Sequence, residues 1–328
     1  MANLETTYMG LPLKNPIIVA SSGLTKSVSK IAACEEAGAG AVVIKSLFEE
    51  VLAKEDLDLV KSTYDHPEAY DYMRAEIKMQ YGPEEYCDLI SKAKEKVKIP
   101  VIASINCITS KWWADYAEKI QRAGADALEL NVFSIATDIT QDSNTMEQLY
   151  YEILEMVKSK ITIPIAMKIG KQITSLPYLV NQLDKRGLNG LTIFNRFTEP
   201  DIDINKLELR TTFAFSTHED LHQILRWVAL LSPWTKADIA ATTGIHTADG
   251  IIKLLLAGAS TAQLASVLYN QGLDVIKNFT AEIEEWMDSK NFKSIDEFKG
   301  KLNFGNTYKY SPDLFLRTQF MDKVKDVE

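Results

Sequence analysis

The feature that most limits the fold of this chain is a series of eight short runs of apolar and β-branched residues between residues 15 and 266. Turn-forming residues such as Gly and Pro flank the runs, and the runs lack the apolar/polar alternation of a half-exposed strand. Such runs are typical of strands that are buried on both faces of a parallel sheet. The eight runs are NPIIVASSG (15–23), AVVIKS (41–46), IPVIASIN (99–106), ADALELN (125–131), IPIAMKIG (163–170), LNGLTIFN (188–195), ADIAATTG (237–244) and STAQLAS (260–266).

The segments between these runs have the apolar spacing of helices. In ADYAEKIQRAG (114–124) and TADGIIKLLLAG (247–258), apolar residues recur at helical intervals, so each helix has one apolar face. Four segments end a helix near Gly and begin a buried run within a few residues: EEAGAGAVVIK, QRAGADALELN, DKRGLNGLTIF and LLAGASTAQLA. Gly at these points suits the left-handed backbone that ends many helices. The alternation of strands and helices predicts an α/β fold, specifically a (β/α)8 TIM barrel.

A single barrel domain accounts for most of the chain. We place the barrel over residues 1–285 and a C-terminal extension, packed on the barrel, over residues 286–328. An open, doubly wound sheet is the alternative, but the glycine-rich GxGxxG first turn of that fold is absent. The connections after the second, fourth and sixth predicted strands are long, and long loops at the carboxyl ends of barrel strands usually build the active site.

Composition narrows the classes of partner. The 328 residues include 36 Lys and Arg against 45 Asp and Glu, a net charge of −9, so nucleic acid and anionic membrane surfaces are poor partners. No apolar run approaches the roughly 18 residues of a membrane helix, and the N-terminus lacks a signal-peptide pattern. Cys34, Cys87 and Cys107 form no CxxC pair, which argues against a disulfide framework or a structural zinc site. We therefore expect a cytoplasmic protein that holds no metal.

Polar residues stand where the predicted strands end, which is where a (β/α)8 barrel places its active site. Lys45 and Lys168 lie inside apolar runs, where a lysine must be neutralised by a partner or must face a cavity. Asn131 and Asn195 end two further runs. Two lysines and two amides at strand ends favour a functional site over isolated structural ion pairs.

The last two strands end in small residues. Thr243 and Gly244 follow the seventh run, and Ala265 and Ser266 end the eighth. Small residues allow backbone N–H groups to approach an anion, and a helix that begins near Thr247 would add its positive end. Barrels often bind phosphate with these two loops, so we expect a phosphate here.

The sequence HEDLH (218–222) matches the HExxH pattern of zinc proteases, but the surrounding features do not fit one. Asp220 places a charge inside the pattern, no strong third ligand follows, and the position between the sixth and seventh strands fits no metalloprotease. A solvated helix start is the better interpretation. His66 and His246 are isolated in the sequence. Cys107 could be a nucleophile, although a small buried Cys is the commoner case.

These motifs, taken in order, resemble the class 1 dihydroorotate dehydrogenases over roughly residues 5–275. NPIIVASSG looks like the family's NP…ASG, IKS like its TKS, ELNVFS like its ELN(I/L)SC and MKI like its VKL. FN is similar to the asparagine that ends the family's sixth strand, and FSTHEDLHQILRWV falls where the family has LSGPAIKPIALRMV. TTGIHTADGIIKLLLAGASTAQLASVL is similar to the family's phosphate-binding end.

The resemblance implies an FMN cofactor. The residues it implies for cofactor binding are Ala20, Ser21, Gly23, Lys45, Ser46, Asn131, Lys168, Thr243, Gly244, Ala265 and Ser266. Lys45 and Lys168 would lie near the ring and ribityl chain, and Lys45 would also be catalytic through its charge. Asn131 and Asn195 would bind the substrate. The family also implies a small-molecule substrate and a soluble electron acceptor such as fumarate, and it leaves a homodimer open.

Two departures from the family concern the substrate half. In ELNVFSIA the catalytic Cys of the family becomes Ser134, and the following Pro-Asn becomes Ile135-Ala136. A serine base occurs in the membrane-associated class of the family, so Ser134 remains the candidate catalytic base. The orotate-binding N-x-M-G-x-x-N loop is missing, since the corresponding stretch reads YDYMRAEIKMQYG (70–82).

Three functions remain open. The leading one is an FMN-dependent oxidoreductase that acts on a CH–CH bond, with dihydroorotate to orotate, a step of pyrimidine biosynthesis, as the default reaction. The second is a flavin-binding homologue with a different substrate or without turnover. The third is a Schiff-base lyase or aldolase that uses Lys168 as its amine nucleophile.

Overall fold

Eight parallel strands form a closed barrel in the computed structural model, which describes residues 2–48, 83–106, 110–196, 199–212 and 215–307. The strands are β1 (Ile17–Val19), β2 (Ala41–Val43), β3 (Val101–Asn106), β4 (Ala127–Asn131), β5 (Ile165–Ile169), β6 (Gly190–Ile193), β7 (Asp238–Thr242) and β8 (Thr261–Leu264). Each strand pairs in parallel with the next, and β8 pairs with β1. The (β/α)8 prediction is therefore confirmed, and the open-sheet alternative is excluded.

Helices separate the strands and cover the outside of the barrel. Their bounds are Val28–Glu36, Pro83–Lys96, Ser110–Arg122, Ser143–Lys158, Leu176–Lys185, Asp220–Leu231, Ala248–Ala257, Ser266–Gln271, Val275–Ser289 and Phe304–Thr307. The glycines of the four repeated phrases, Gly38, Gly124, Gly187 and Gly258, all have positive φ, as the helix-end interpretation requires. Among the described residues, none of the helices combines the length and the apolar character that a bilayer span requires.

Neighbouring residues of each strand face two different cores. In β1, Ile17 and Val19 belong to the large core between the strands and the helices, whereas Ile18 belongs to a smaller apolar cluster inside the barrel. Both faces are buried, which explains why the runs do not alternate between apolar and polar residues.

An N-terminal hairpin packs against the interior cluster. It pairs Thr6–Tyr8 with Leu11–Leu13, and the side chains of Tyr8, Met9 and Leu13 join the inward-facing residues of the strands. Met9 of the hairpin donates its backbone N–H to Asp238, the first residue of β7, and Met9 and Tyr8 lie beside Gly190, the first residue of β6. The hairpin therefore fills the end of the barrel opposite to the carboxyl ends of the strands.

The chain after β8 packs on the outside of the barrel. The domain boundary predicted at residue 285 falls inside the helix Val275–Ser289. Beyond this helix, Phe298 is fully buried, and the backbone N–H of Gly300 donates to the carbonyl of Leu255. The described part of the extension, up to residue 307, thus contacts the helix Ala248–Ala257.

A substitution at Gly190 tests how tightly the hairpin fits the barrel. A Cβ at Gly190 would lie 2.8 Å from Met9 Cγ and 2.9 Å from the Tyr8 hydroxyl oxygen. We expect Gly190→Ala to lower the free energy of unfolding by about 1–3 kcal/mol, because overpacking forces neighbours to move. Gly250→Ala is the matched control, since its Cβ would meet Leu221 at 3.4 Å inside a helix. Urea unfolding measures both free energies of unfolding. If the two variants are equally stable, the hairpin can move to accommodate the added methyl group without loss of stability.

Candidate active site

A cavity of about 620 Å³ opens at the carboxyl ends of the barrel strands. Its volume lies within the range of small-molecule sites. The residues that line it are Ala20, Ser21, Ser22, Gly23, Lys45, Ser46, Phe48, Asn131, Lys168, Phe194, Asn195, Arg196, Phe215, Ser216, Thr242, Thr243, Gly244, Ile245, Gln263, Leu264, Ala265, Ser266 and Tyr269. The structure thus brings together every residue implied to bind the cofactor, together with Asn195.

The charged residues of the cavity lining all have the same sign. Lys45, Lys168 and Arg196 line it, and no Asp or Glu does so within the part of the chain that the structure describes. The whole chain has a net charge of −9, so the charge of the cavity lining is opposite in sign to the net charge of the protein. The cavity is therefore suited to anionic ligands.

Polar side chains from β4, β5 and the end of β6 form a row on one wall. Asn131 and Lys168 are neighbours in the β4–β5 register and are 8% and 9% exposed. The amide Nδ2 of Asn195 donates a hydrogen bond to Oδ1 of Asn131. Lys168 makes no hydrogen bond or ion pair with any described residue. A buried ammonium group of this kind is suited to receive a ligand atom.

A polar network lies deeper inside the barrel. Glu129 is 1% exposed, and its Oε2 accepts hydrogen bonds of 2.8 Å from both Thr192 Oγ1 and Gln263 Nε2. Burial, aided by the negative charge of Glu129, raises the pKa of the nearby Tyr8 phenol. Gln263 belongs both to this network and to the cavity lining, so the network supports the floor of the cavity.

Hydroxyl groups join the ends of the first three strands. Ser46 N–H donates to Ser21 Oγ at 2.8 Å, and the Ser46 hydroxyl lies 2.8 Å from the Ser104 hydroxyl. Tyr86 in turn donates to the carbonyl of Ser104 and accepts from its N–H. Ile44 N–H donates to the carbonyl of Ile102, so hydrogen bonds fix the backbone on both sides of Lys45.

The turn after β7 contributes to the cavity lining two residues whose backbone N–H groups are not hydrogen-bonded within the described chain. Thr243 has φ of +80°, a strained value for a β-branched residue, and its hydroxyl donates to the carbonyl of Phe194. Gly244 follows with φ of +78°, and a Cβ there would lie 2.3 Å from the backbone nitrogen of Leu221. The N–H groups of Gly244 and Ile245 are buried and have no acceptor among the described residues. Such donors are suited to an anion such as a phosphate.

After β6, Glu199–Asp203 and Glu208–Thr212 form an antiparallel hairpin, and the segment that follows it packs on this turn. His246, which is isolated in the sequence, therefore has side-chain neighbours in the structure. Ser216 Oγ lies 3.3 Å from His246 Nε2, and the His218 ring packs 4.9 Å from the His246 ring. Desolvation lowers the pKa of His246. His246 was called isolated because no other histidine or cysteine lies near it in the sequence, whereas its contacts with Ser216 and His218 join two different loops.

The helix Asp220–Leu231 begins after His218, so His218 and His222 do not share a helical face as a zinc-protease motif requires. The described part of the chain contains no group of three or more potential metal ligands. The solvated helix start is thus the correct interpretation of HEDLH.

Aromatic side chains in the lining were not singled out from the sequence. Phe215 and Tyr269 stack with ring centroids 5.3 Å apart. The hydroxyl of Tyr269 would lie 2.7 Å from a Cβ at Gly23, so a larger residue at this position would displace the Tyr269 side chain. Phe48 and Phe194 also face the cavity. Tyr269 could have been predicted from the sequence, because it lies three residues after Ser266 and therefore on the same face of a helix. Phe215 lies in a loop, where no sequence pattern indicates which side chains reach the cavity.

Ser134 does not line the main cavity. It faces a second pocket of about 270 Å³ together with Tyr150, Glu147 and Gln172. The segment from Val132 to the helix Ser143–Lys158 has no regular secondary structure over 132–142. Ser134 is therefore near the end of β4, as expected, but apart from the residues implied to hold the cofactor.

Three positions from the sequence analysis lie outside the described residues. They are Cys107, His66 and the stretch YDYMRAEIKMQYG (70–82). Asn106, just before Cys107, ends β3 and does not line the cavity.

Comparison with known proteins adds independent findings. A protein-family model described as "Dihydroorotate dehydrogenase" matches residues 79–287. The chain is 26% identical over 310 residues to "Dihydroorotate dehydrogenase B (NAD(+)), catalytic subunit" of Thermoplasma acidophilum, which covers 92% of this chain and 99% of the relative. A protein of the same name from Pyrococcus abyssi is 26% identical over 303 residues, or 90% and 98% of the two chains.

A third relative, "Putative dihydroorotate dehydrogenase A (fumarate)" of Aeropyrum pernix, is 24% identical over 309 residues, or 90% and 96% of the two chains. The matched region of the family model covers more than half of the chain and contains β3 to β8. Together with the closed parallel barrel, this match shows that the chain belongs to the dihydroorotate dehydrogenase family, a family of oxidoreductases.

Proposed function

We propose that this protein is an FMN-dependent oxidoreductase that acts on a CH–CH bond, with dihydroorotate to orotate as the default reaction. One observation carries the proposal: a single cavity joins a half-buried and a buried lysine, strand-end amides and unbonded backbone donors, and no described carboxylate lines it. The family supports the reaction class, and the cavity supports the cofactor.

The residues fit the three parts of FMN. The N–H groups of Gly244 and Ile245 lack protein acceptors and would hold the phosphate, with Ala265 and Ser266 on the neighbouring strand end. Ser266 Oγ already accepts from Ser216 N–H, so its hydroxyl hydrogen can donate to an anion. When bound, FMN would accept the hydride at N5 of its ring.

Lys45 and Lys168 would act on the ring and ribityl chain. The hydroxyl network of Ser21, Ser46 and Ser104 fixes the backbone around Lys45, so its charge is preorganised. A preorganised cation stabilises the negative charge that a flavin gains on reduction. Lys168 is buried and has no described partner, so it is suited to bond a ligand oxygen.

The amides of Asn131 and Asn195 would orient the substrate. Their mutual hydrogen bond uses one donor of Asn195 and the carbonyl of Asn131, so the amide hydrogens of Asn131 remain available to a ligand. The Asn131 side chain is 8% exposed and sits beside Lys168. A substrate held by these amides would therefore lie next to Lys168, which is proposed to contact the cofactor.

Ser134 is the proposed base that takes the proton from the substrate carbon. A hydroxyl is a weaker base near neutrality than a cysteine that is partly thiolate, so a water would assist it. Ser134 faces the smaller pocket in the structure, and its reaction therefore requires the 132–142 segment to move toward the main cavity.

The position of Ser134 also favours a second candidate, a flavin-binding homologue with a different substrate or without turnover. A Schiff-base lyase is less well supported, because Lys168 has no carboxylate near it in the described cavity lining to transfer protons. Anaerobic mixing with dihydroorotate separates the first two functions, since only a working dehydrogenase bleaches its flavin.

The electron acceptor differs among the relatives. The name of the Thermoplasma relative includes NAD(+) and the term catalytic subunit, and that of the Aeropyrum relative includes fumarate. We propose a soluble acceptor for this chain and, as a separate proposal, a homodimer. A partner subunit is the alternative route for the electrons.

The purified protein is expected to be yellow and to hold one non-covalent FMN per chain. The reason is the pair of phosphate-suited turns after β7 and β8 together with the lysines of the cavity. Absorbance after dialysis measures the bound flavin, and mass spectrometry of the released cofactor separates FMN from FAD. A colourless protein that does not take up added FMN would refute the cofactor proposal.

Replacing Lys45 by Ala is expected to weaken FMN binding or to slow flavin reduction by roughly 10²–10³-fold, the usual effect of removing one preorganised charge from an active site. Stopped-flow reduction and flavin titration measure the two effects. Lys253→Ala is the control, because Lys253 is exposed on the helix Ala248–Ala257 and loses the same charge. If both variants behave like the wild type, Lys45 is structural.

Ser134→Ala is expected to nearly abolish flavin reduction by the substrate without loss of the yellow colour, because only the base is removed. Ser134→Cys should keep activity, with greater activity toward lower pH, because a thiol ionises more readily than a hydroxyl. Single-turnover reduction across a pH series measures both. A wild-type rate in Ser134→Ala would place the base elsewhere, with Cys107 as the next candidate.

A further inference from the structure

Ser216 joins the two turns to which the proposed function assigns the FMN phosphate. Its backbone N–H donates a 3.1 Å hydrogen bond to Oγ of Ser266, just after β8. Its hydroxyl oxygen lies 3.3 Å from Nε2 of His246, which follows the turn after β7. Ser216 is 7% exposed, whereas the other residues of the segment 215–219 are exposed. The one buried residue of this segment therefore contacts both turns, one through its N–H and the other through its hydroxyl.

His246 has no role in the function proposed above, and it is buried behind the cavity wall. It is 9% exposed and does not line the main cavity, whereas Gly244 and Ile245, which precede it, do. Desolvation lowers the pKa of His246, so its ring is neutral at pH 7 and brings no charge to a phosphate. A neutral imidazole still has one donor and one acceptor nitrogen for a serine hydroxyl. An effect of this ring on the ligand would therefore act through Ser216.

We propose that His246 is a positioning residue for the FMN phosphate, which acts by holding the Ser216 hydroxyl between the two phosphate turns. This inference rests on the proposed function and adds a residue to it. The N–H of Ser216 occupies a lone pair of Ser266 Oγ, so the hydroxyl hydrogen of Ser266 is left to donate to the ligand. Loss of the His246 contact would release Ser216, and the Ser266 hydroxyl would no longer be held in one orientation.

FMN and riboflavin, which differ only in the phosphate, distinguish this role from a general structural one. Each flavin is titrated into the full-length protein after removal of bound flavin, and quenching of flavin fluorescence measures the dissociation constant. We expect His246→Leu to raise the dissociation constant of FMN about 10-fold, because hydrogen bonds to a charged group commonly contribute a factor of this size. The dissociation constant of riboflavin should not change, since riboflavin lacks the group that His246 is proposed to position.

Three further variants show whether His246 acts through Ser216. His246→Gln keeps a hydrogen-bonding side chain and should bind FMN more tightly than His246→Leu. His222→Leu is the matched control, because His222 is exposed on the helix Asp220–Leu231, and it should bind both flavins like the wild type. In Ser216→Ala the proposed contact is already lost, so adding His246→Leu should weaken FMN binding no further.

The inference is overturned if the wild type binds the two flavins equally or if His246→Leu binds FMN like the wild type. It is also overturned if His246→Leu weakens both flavins to the same extent, or if the effects of Ser216→Ala and His246→Leu add. In all four cases the protein binds flavin, so the cofactor proposal is not refuted with it. A wild type that binds neither flavin refutes the cofactor proposal together with this inference.

Discussion

Closure of the parallel sheet, through the pairing of β8 with β1, is the constraint on which the rest of this structure depends. A closed parallel barrel directs all strands the same way, so residues that are up to about 250 positions apart in sequence meet around one cavity. Because the barrel is closed, its interior is divided along the barrel axis into three layers. The hairpin fills one end, the Glu129 network occupies the middle, and the cavity takes the carboxyl end.

The strands could be predicted because both of their faces are buried. This burial removes the polar positions from each run, and the glycines that end the helices mark where each run begins. The residues at strand ends could be predicted for the same reason, since their place follows from the strand. Lys45 and Lys168 line one cavity because Lys45 follows β2 and Lys168 is the last residue but one of β5 in the same barrel.

The rest of the site depends on how loops pack, which a single sequence does not specify. Phe215 and Ser216 reach the cavity from the loop before the helix Asp220–Leu231, and His246 meets His218 across two loops. Ser134 shows the opposite case. It lies three residues after β4, close enough in sequence to be placed with Asn131, yet the path of the loop directs it to another pocket.

The distribution of charge inside the barrel connects fold and chemistry. A carboxylate at Glu129 lies buried below the cavity, and its hydrogen bonds to Thr192 and Gln263 use neutral donors. Lys168, on the strand next to Glu129, makes no hydrogen bond or ion pair with any described residue. Because a buried charge needs a partner, Lys168 is suited to bond an atom of a ligand in the cavity. The barrel thus satisfies the Glu129 carboxylate with neutral donors and leaves the Lys168 side chain at the cavity lining, which is how the order of residues along β4 and β5 determines the charge of the cavity.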